Sequence, residues 1–191
     1  SLVRALNEKY PGLRIIIPAF QYPHEKKSYS WHGNTVITFA GRNKGGISKW
    51  LVRNAVMKEL RQIDARHRLT GLLSFWSGEC AITGNRFAET RNVPHCCWLL
   101  GQDARSGNKY PGKLRLKPDQ LIALSDRLQD EFEKNYRTRP AYVIPPGIDT
   151  TPFATGATIK DVDLLAAGSL IPLKQYHLFI EVVAEVRKTR P

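Results

Sequence analysis

Short apolar runs alternate along this chain with longer stretches whose apolar positions recur at helical spacing. That alternation restricts the fold more than any other feature. Residues 14–18, 35–39, 71–75, 96–100, 121–124 and 141–144 read as strands, several rich in β-branched side chains. Between and around them lie helical patterns. Leu2, Val3, Leu6 and Tyr10 share one face of a first helix, which Pro11 and Gly12 end. Leu51, Val52, Ala55, Val56, Leu60 and Ile63 form one stripe of a long helix. Residues 80–89 read as a third. Leu128, Phe132 and Tyr136 mark a fourth, with Ser125 as its N-cap and Asp126 in its first turn. Residues 22–30 read as polar loop. Residues 149–160 are rich in Thr, Gly and Pro and read as a linker, followed by a strand at 164–168 and a helix at 176–188. Strands separated by helices predict an α/β fold, a Rossmann-like, mainly parallel sheet with helices on both faces.

With 42% hydrophobic and 24% charged residues in 191, the chain has enough apolar surface for a core, which excludes wholesale disorder. No apolar run approaches the roughly 18 residues of a membrane span, and the first residues carry no apolar signal core. Three cysteines, Cys80, Cys96 and Cys97, exclude a disulfide framework and point to a reducing, cytoplasmic setting. His95, Cys96 and Cys97 are adjacent in one strand, so their side chains alternate between faces and do not converge on a metal.

The net charge of +12 is unevenly spread. Residues 1–118 hold 20 basic and 7 acidic side chains; residues 119–191 hold 9 and 10. A surplus confined to the first three fifths sets up a positive field for phosphates, whether of a nucleic acid, an anionic membrane or a small molecule. The basic, glycine-rich loop 41–46, with Arg42 and Lys44, could cradle an anion, but it lacks the lysine–serine or lysine–threonine pair of a Walker loop.

Two blocks carry a resemblance. The first runs from Leu121-Ile122-Ala123-Leu124-Ser125 to Pro146-Gly147-Ile148-Asp149-Thr150-Thr151-Pro152-Phe153, and the second from Leu165 to Arg187, including Gly168-Ser169 and Lys174. A weaker block joins Phe75-Trp76-Ser77-Gly78 to Leu100-Gly101-Gln102-Asp103. Together they resemble the retaining glycosyltransferases of the GT-B fold, glycosyltransferase family 4. The resemblance implies transfer of a sugar from a nucleotide diphosphate sugar to a glycan or lipid-linked acceptor, without a cofactor or bound metal. It implies three parts: an N-terminal acceptor-side domain, 1–147, lacking its first strand; a linker, 148–160; and the beginning of a nucleotide-sugar domain, 161–191. Lys174, Gly168 and Ser169 then take the donor diphosphate positions. Gly101, Asp103, Arg105, Asn108 and Lys109, beyond a strand end, take the acceptor side of the cleft. No catalytic residue is assigned. Ser169 stands where the family has arginine, and Leu100 where it often has histidine. The family's paired glutamates have no counterpart here, so residues 1–191 are expected to be inactive alone.

The association with cell-surface polysaccharide synthesis rests on the family alone. A basic first domain suits the inner face of a membrane. The rival reading is a basic nucleic-acid-binding module using Trp31, Trp50, Trp76 and Trp98 as stacking surfaces. Those tryptophans fall on different elements and form no recognition motif, so no nucleic acid is expected.

Overall fold

The computed structural model describes residues 2–150 and 162–189. The chain divides into two compact units, Ser1–Ile148 and Asp149–Pro191. Most of the expected linker lies outside the described residues.

In the first unit, helix α1 (Leu2–Lys9) leads into β1 (Ile16–Ala19). β2 (Ser28–Trp31) and β3 (Asn34–Thr38) form an antiparallel hairpin, and β1 pairs parallel with β3. The hairpin turn is His32–Gly33, at φ 48° and 77°, the left-handed pair that a two-residue turn between twisted strands requires. β2 lies partly within the stretch that reads as polar loop. All four of its residues are exposed, so it has no apolar alternation to betray it.

Helix α2 (Ile47–His67) crosses to β4 (Leu72–Phe75). Helix α3 (Glu79–Arg91), β5 (His95–Trp98), the short helix α4 (Lys109–Leu114), β6 (Leu121–Ala123), α5 (Asp126–Tyr136) and β7 (Tyr142–Val143) follow. β4, β5, β6 and β7 lie side by side in that order, all parallel. Ser125 caps α5 as its position predicts, its hydroxyl accepting from the Leu128 N–H at 3.3 Å. The fold is mixed α/β, with a four-stranded parallel sheet flanked by helices.

The single continuous sheet expected from the alternation is instead two sheets, ordered β1-β3-β2 and β4-β5-β6-β7. One hydrophobic cluster nonetheless spans both. Phe39, Val56, Leu60 and Phe87 are buried together, with Phe20 and Ile37 packed on from the first sheet and Leu72 from the second. A second cluster buries Cys97, Leu99, Leu121 and Ala123 beneath Ala81 of α3 and Leu128 and Phe132 of α5. Only this face of the four-stranded sheet is fully covered. The other face is covered at its centre, where Trp98 and Ile122 are buried, but Leu73, Phe75 and Tyr142 on its outer strands keep 43%, 42% and 49% of their surface exposed.

At its C-terminal end α2 is tied to α3. Asp64 accepts from the Leu69 N–H at 2.9 Å and pairs with Arg91 at 2.6 Å. The Leu69 amide, and then the Arg91 guanidinium, hold its carboxyl below the usual carboxylate range. Gly84 lets α3 lie close on the sheet. A Cβ there would stand 2.9 Å from Ser74 Oγ and 3.0 Å from His95 Nε2.

Those two side chains meet at 3.0 Å in the interior, and His95 Nδ1 has no partner. Burial pulls the His95 imidazole down to about 4 from 6.5. Between those pH values the unfolded chain binds the proton and the folded chain does not. Stability contributed by the neutral ring is therefore complete above pH 6.5 and is lost as pH falls toward 4. A His95→Gln variant should flatten the pH dependence of urea-unfolding free energy in that window by an amount on the order of 3 kcal/mol. An unchanged slope would refute the assignment.

In the second unit, residues 164–168 do not form the expected strand. No neighbouring strand is present among the described residues of that unit to pair with it, and Leu165 is 83% exposed. A 3₁₀ turn, Pro172–Lys174, and helix α6 (Tyr176–Thr189) follow.

Candidate functional site

Because β4, β5 and β6 are parallel, their C-terminal exits gather along one edge, where open α/β sheets bind ligands. After β4 the chain turns through Trp76, at φ 66°, to Gly78, which opens α3 without a side-chain cap. After β5 comes the loop holding the predicted acceptor-side residues. These divide in two. Gly101, Arg105 and Lys109 are exposed and available. Asp103 and Asn108 serve the fold. Asp103 is 4% exposed and accepts from the Leu100 N–H at 2.8 Å; burial, the larger effect, pushes its carboxyl up against that bond. Asn108 caps α4, accepting from the Tyr110 N–H at 3.0 Å, while its own N–H donates to the Tyr136 hydroxyl at 3.1 Å.

Beside this loop lies a cluster that sequence spacing did not reveal. Tyr110 of α4 donates to Glu79 Oε1 at 2.8 Å. Lys49 Nζ donates to the Tyr110 hydroxyl at 3.3 Å and stands 3.9 Å from the same carboxylate oxygen. Arg53 Nε is 3.4 Å from Glu79 Oε2, which has no hydrogen bond. Burial and the Glu79 carboxylate both raise the Tyr110 phenol. Two cations, a carboxylate and a phenol thus converge from α2, α3 and α4. The only sequence signal was that Glu79 follows the Trp76-Ser77-Gly78 turn.

The glycine-rich loop 41–46 follows β3. Gly41 is required there, since a Cβ would stand 2.7 Å from the Phe20 carbonyl oxygen. Ala40, Arg42, Asn43 and Gly46 all have φ between 52° and 57°. The loop is pinned by Asn43 N–H donating to Gln21 Oε1 at 2.8 Å and by Arg42 donating to the His24 carbonyl at 3.1 Å. It borders an open cleft of about 490 Å³ lined also by His24, Glu25, Lys26 and Lys44. Next to it Ile47, Trp50 and Leu51 are 79%, 54% and 56% exposed. Leu51, read as part of the buried stripe, therefore faces solvent. Val56, Leu60 and Ile63, farther along α2, carry the buried face.

In the second unit Gly168 packs against Tyr176, whose hydroxyl would meet a Cβ at 2.9 Å. Ser169 and Lys174 are exposed, and Lys174 ends the 3₁₀ turn just before α6.

Burial raises the Cys80 thiol to about 11 and pushes Cys97 up further, so both are held as unreactive thiols. No group of three metal-ligating side chains converges among the described residues. Nor is any described helix long and apolar enough to cross a membrane. Of the four tryptophans, Trp98 is buried, and the exposed three sit on β2, on α2 and after β4 rather than on one surface element. No protein-family model, curated protein or solved structure matches the chain.

Proposed function

We propose that the chain is the acceptor-side part, with the start of the donor-side domain, of a retaining glycosyltransferase of the GT-B type. It would pass a sugar from a nucleotide diphosphate sugar to a glycan or lipid-linked acceptor in cell-surface polysaccharide synthesis, without a resident metal. The observation that carries this reading is the segment from Gly168 to α6. Gly168 lies close against the Tyr176 hydroxyl, where no side chain fits, and Lys174 has no side-chain partner among the described residues and ends the turn that leads into the helix. A cation there suits a diphosphate leaving group, whose negative charge grows as the glycosidic bond breaks.

The acceptor side has support of its own. Arg105 and Lys109 are exposed beyond the β5 exit, on the sheet edge suited to ligands. The cleft beside Arg42 and Lys44 would take a phosphorylated head group, and the apolar Ile47, Trp50 and Leu51 beside it suit the inner face of an anionic membrane.

Titration of the chain with UDP-, GDP- and ADP-sugars, followed by amide NMR, tests the donor assignment. One nucleotide class should perturb the amides of Gly168, Ser169 and Lys174 at millimolar concentrations, and Lys174→Ala should weaken that binding by about tenfold, the loss of one charge-assisted contact. Perturbation by none of the three, or an unaffected Lys174→Ala variant, would overturn it.

A further inference from the structure

A cavity of about 280 Å³ opens in the first unit between α4, α5 and the start of β6. Sugar transfer as proposed above makes no use of it. Its apolar wall is Leu114, Leu116, Leu121 and Phe132, each 8% exposed or less and all members of one buried cluster. Protein interiors pack as tightly as organic crystals, with few voids larger than one water molecule. This space equals about nine water molecules at liquid density. The side chains around it therefore lack neighbours on one side, and with them the dispersion contacts those neighbours would supply.

Two polar side chains line the same cavity, one buried and one at the surface. Ser77, in the turn after β4, is 4% exposed. Its N–H is committed to the Asp103 carboxylate, but its hydroxyl makes no hydrogen bond among the described residues. Buried hydroxyls are seldom left in that condition, because the lost hydration goes uncompensated. Arg115 is exposed, and its guanidinium has no partner among the described residues. The local sequence accounts for the arrangement. Residues 113–117 read Lys-Leu-Arg-Leu-Lys, and burial follows the alternation: both leucines are buried and all three cations are exposed. No acid interrupts that stretch, so the surface above the leucines is positive.

An apolar wall, a buried hydroxyl without a partner and a cationic rim specify one chemistry. We propose that the cavity binds a small anionic amphiphile, a carboxylate on an apolar body of about seven to nine non-hydrogen atoms. The body fills the space against Leu114, Leu116, Leu121 and Phe132, and the carboxylate pairs with Arg115. A polar atom at the far end of the body would meet the Ser77 hydroxyl. Occupancy also bears on α4, which forms one wall. This helix has six residues, and two of them, Pro111 and Gly112, are poor helix formers, so its position depends on what packs beneath it. Because α4 carries Tyr110, which bonds Glu79, a filled cavity braces that cluster as well. The proposal does not depend on glycosyl transfer.

Amide NMR titrations of the whole chain test it with octanoate, 3-phenylpropionate, octylamine and acetate. Both apolar carboxylates should shift the amides of Leu116, Leu121 and Phe132, with a Kd below about 1 mM. Octylamine has the wrong charge and acetate has no apolar body, so each should bind at least about tenfold more weakly. Arg115→Gln should weaken octanoate binding by about tenfold, the loss of one charge-assisted contact. Leu116→Trp fills the space with a larger side chain and should abolish binding. If that variant does not fold, Arg115→Gln, at an exposed position, still decides the matter. No shift from either carboxylate at about 5 mM overturns the proposal. So does equal binding of octylamine, or unchanged octanoate affinity in Arg115→Gln. Shifts confined to the surroundings of Arg42 and Lys44 also overturn it, by placing the carboxylate on other cations.

Discussion

Phe87→Ala will lower the unfolding free energy by about 3–5 kcal/mol, the range for removing a buried phenylalanine from a packed core. Phe87 is 1% exposed on α3 and sits among Phe39, Val56 and Leu60. It is where α2, α3 and the two sheets meet, so the surrounding groups come from four elements and cannot all collapse into the space. A loss of that size is a large part of the 5–15 kcal/mol that holds a typical domain together. Urea unfolding should show a lower midpoint. Amide exchange should also change selectively, with protection lost first in β1–β3. Phe132→Ala, in the cluster beneath β5 and β6, should cost a similar amount but release β6 and α5 first. A loss under about 1 kcal/mol for Phe87→Ala would mean that the cluster does not join the two sheets.

The elements most legible in the sequence were those whose burial is most complete. β5 and β6 were read from continuous apolar runs, and α5 from Ser125 together with the spacing of Leu128, Phe132 and Tyr136. β2 was missed because both its faces are wet, which leaves no alternation to read. α2 was located, but its apolar residues do two jobs. Val56, Leu60 and Ile63 pack inward while Ile47, Trp50 and Leu51 do not, and periodicity alone treats them alike. The run at 164–168 has strand composition, yet a strand exists only by pairing.

The candidate site was legible in part. The exposed cations Arg42, Lys44, Arg105 and Lys109 followed from loop position and charge. The grouping of Lys49, Arg53, Glu79 and Tyr110 did not, because residues 31 positions apart meet there through packing of α3 against α4. Asp103 looked like a ligand-facing acid and instead closes its own turn. Acid residues at strand exits serve both purposes, and only the direction of the carboxylate separates them.

The chain will bind phosphatidylserine-containing vesicles at low salt, and the double variant Arg42→Glu/Lys44→Glu will bind them on the order of 1000-fold more weakly. Each lysine or arginine near an anionic surface contributes about 1 kcal/mol, and reversal converts that attraction to repulsion. Both side chains are exposed on a loop fixed by Gly41, so the substitutions disturb little of the fold. The neighbouring Ile47, Trp50 and Leu51 supply the apolar part of the contact. Trp50→Ser should therefore weaken binding too, by a factor that changes little with salt, because it removes buried apolar area and leaves the charges in place. Raising salt from roughly 0.05 to 0.5 M should abolish most binding, since the screening length falls to a few ångströms. Co-sedimentation with charged and neutral vesicles measures all of this. Equal binding to phosphatidylcholine alone, or no response to either variant, would remove the membrane from the account. Tighter, equally salt-sensitive binding to single-stranded DNA or RNA would instead favour the nucleic-acid reading of the same positive face.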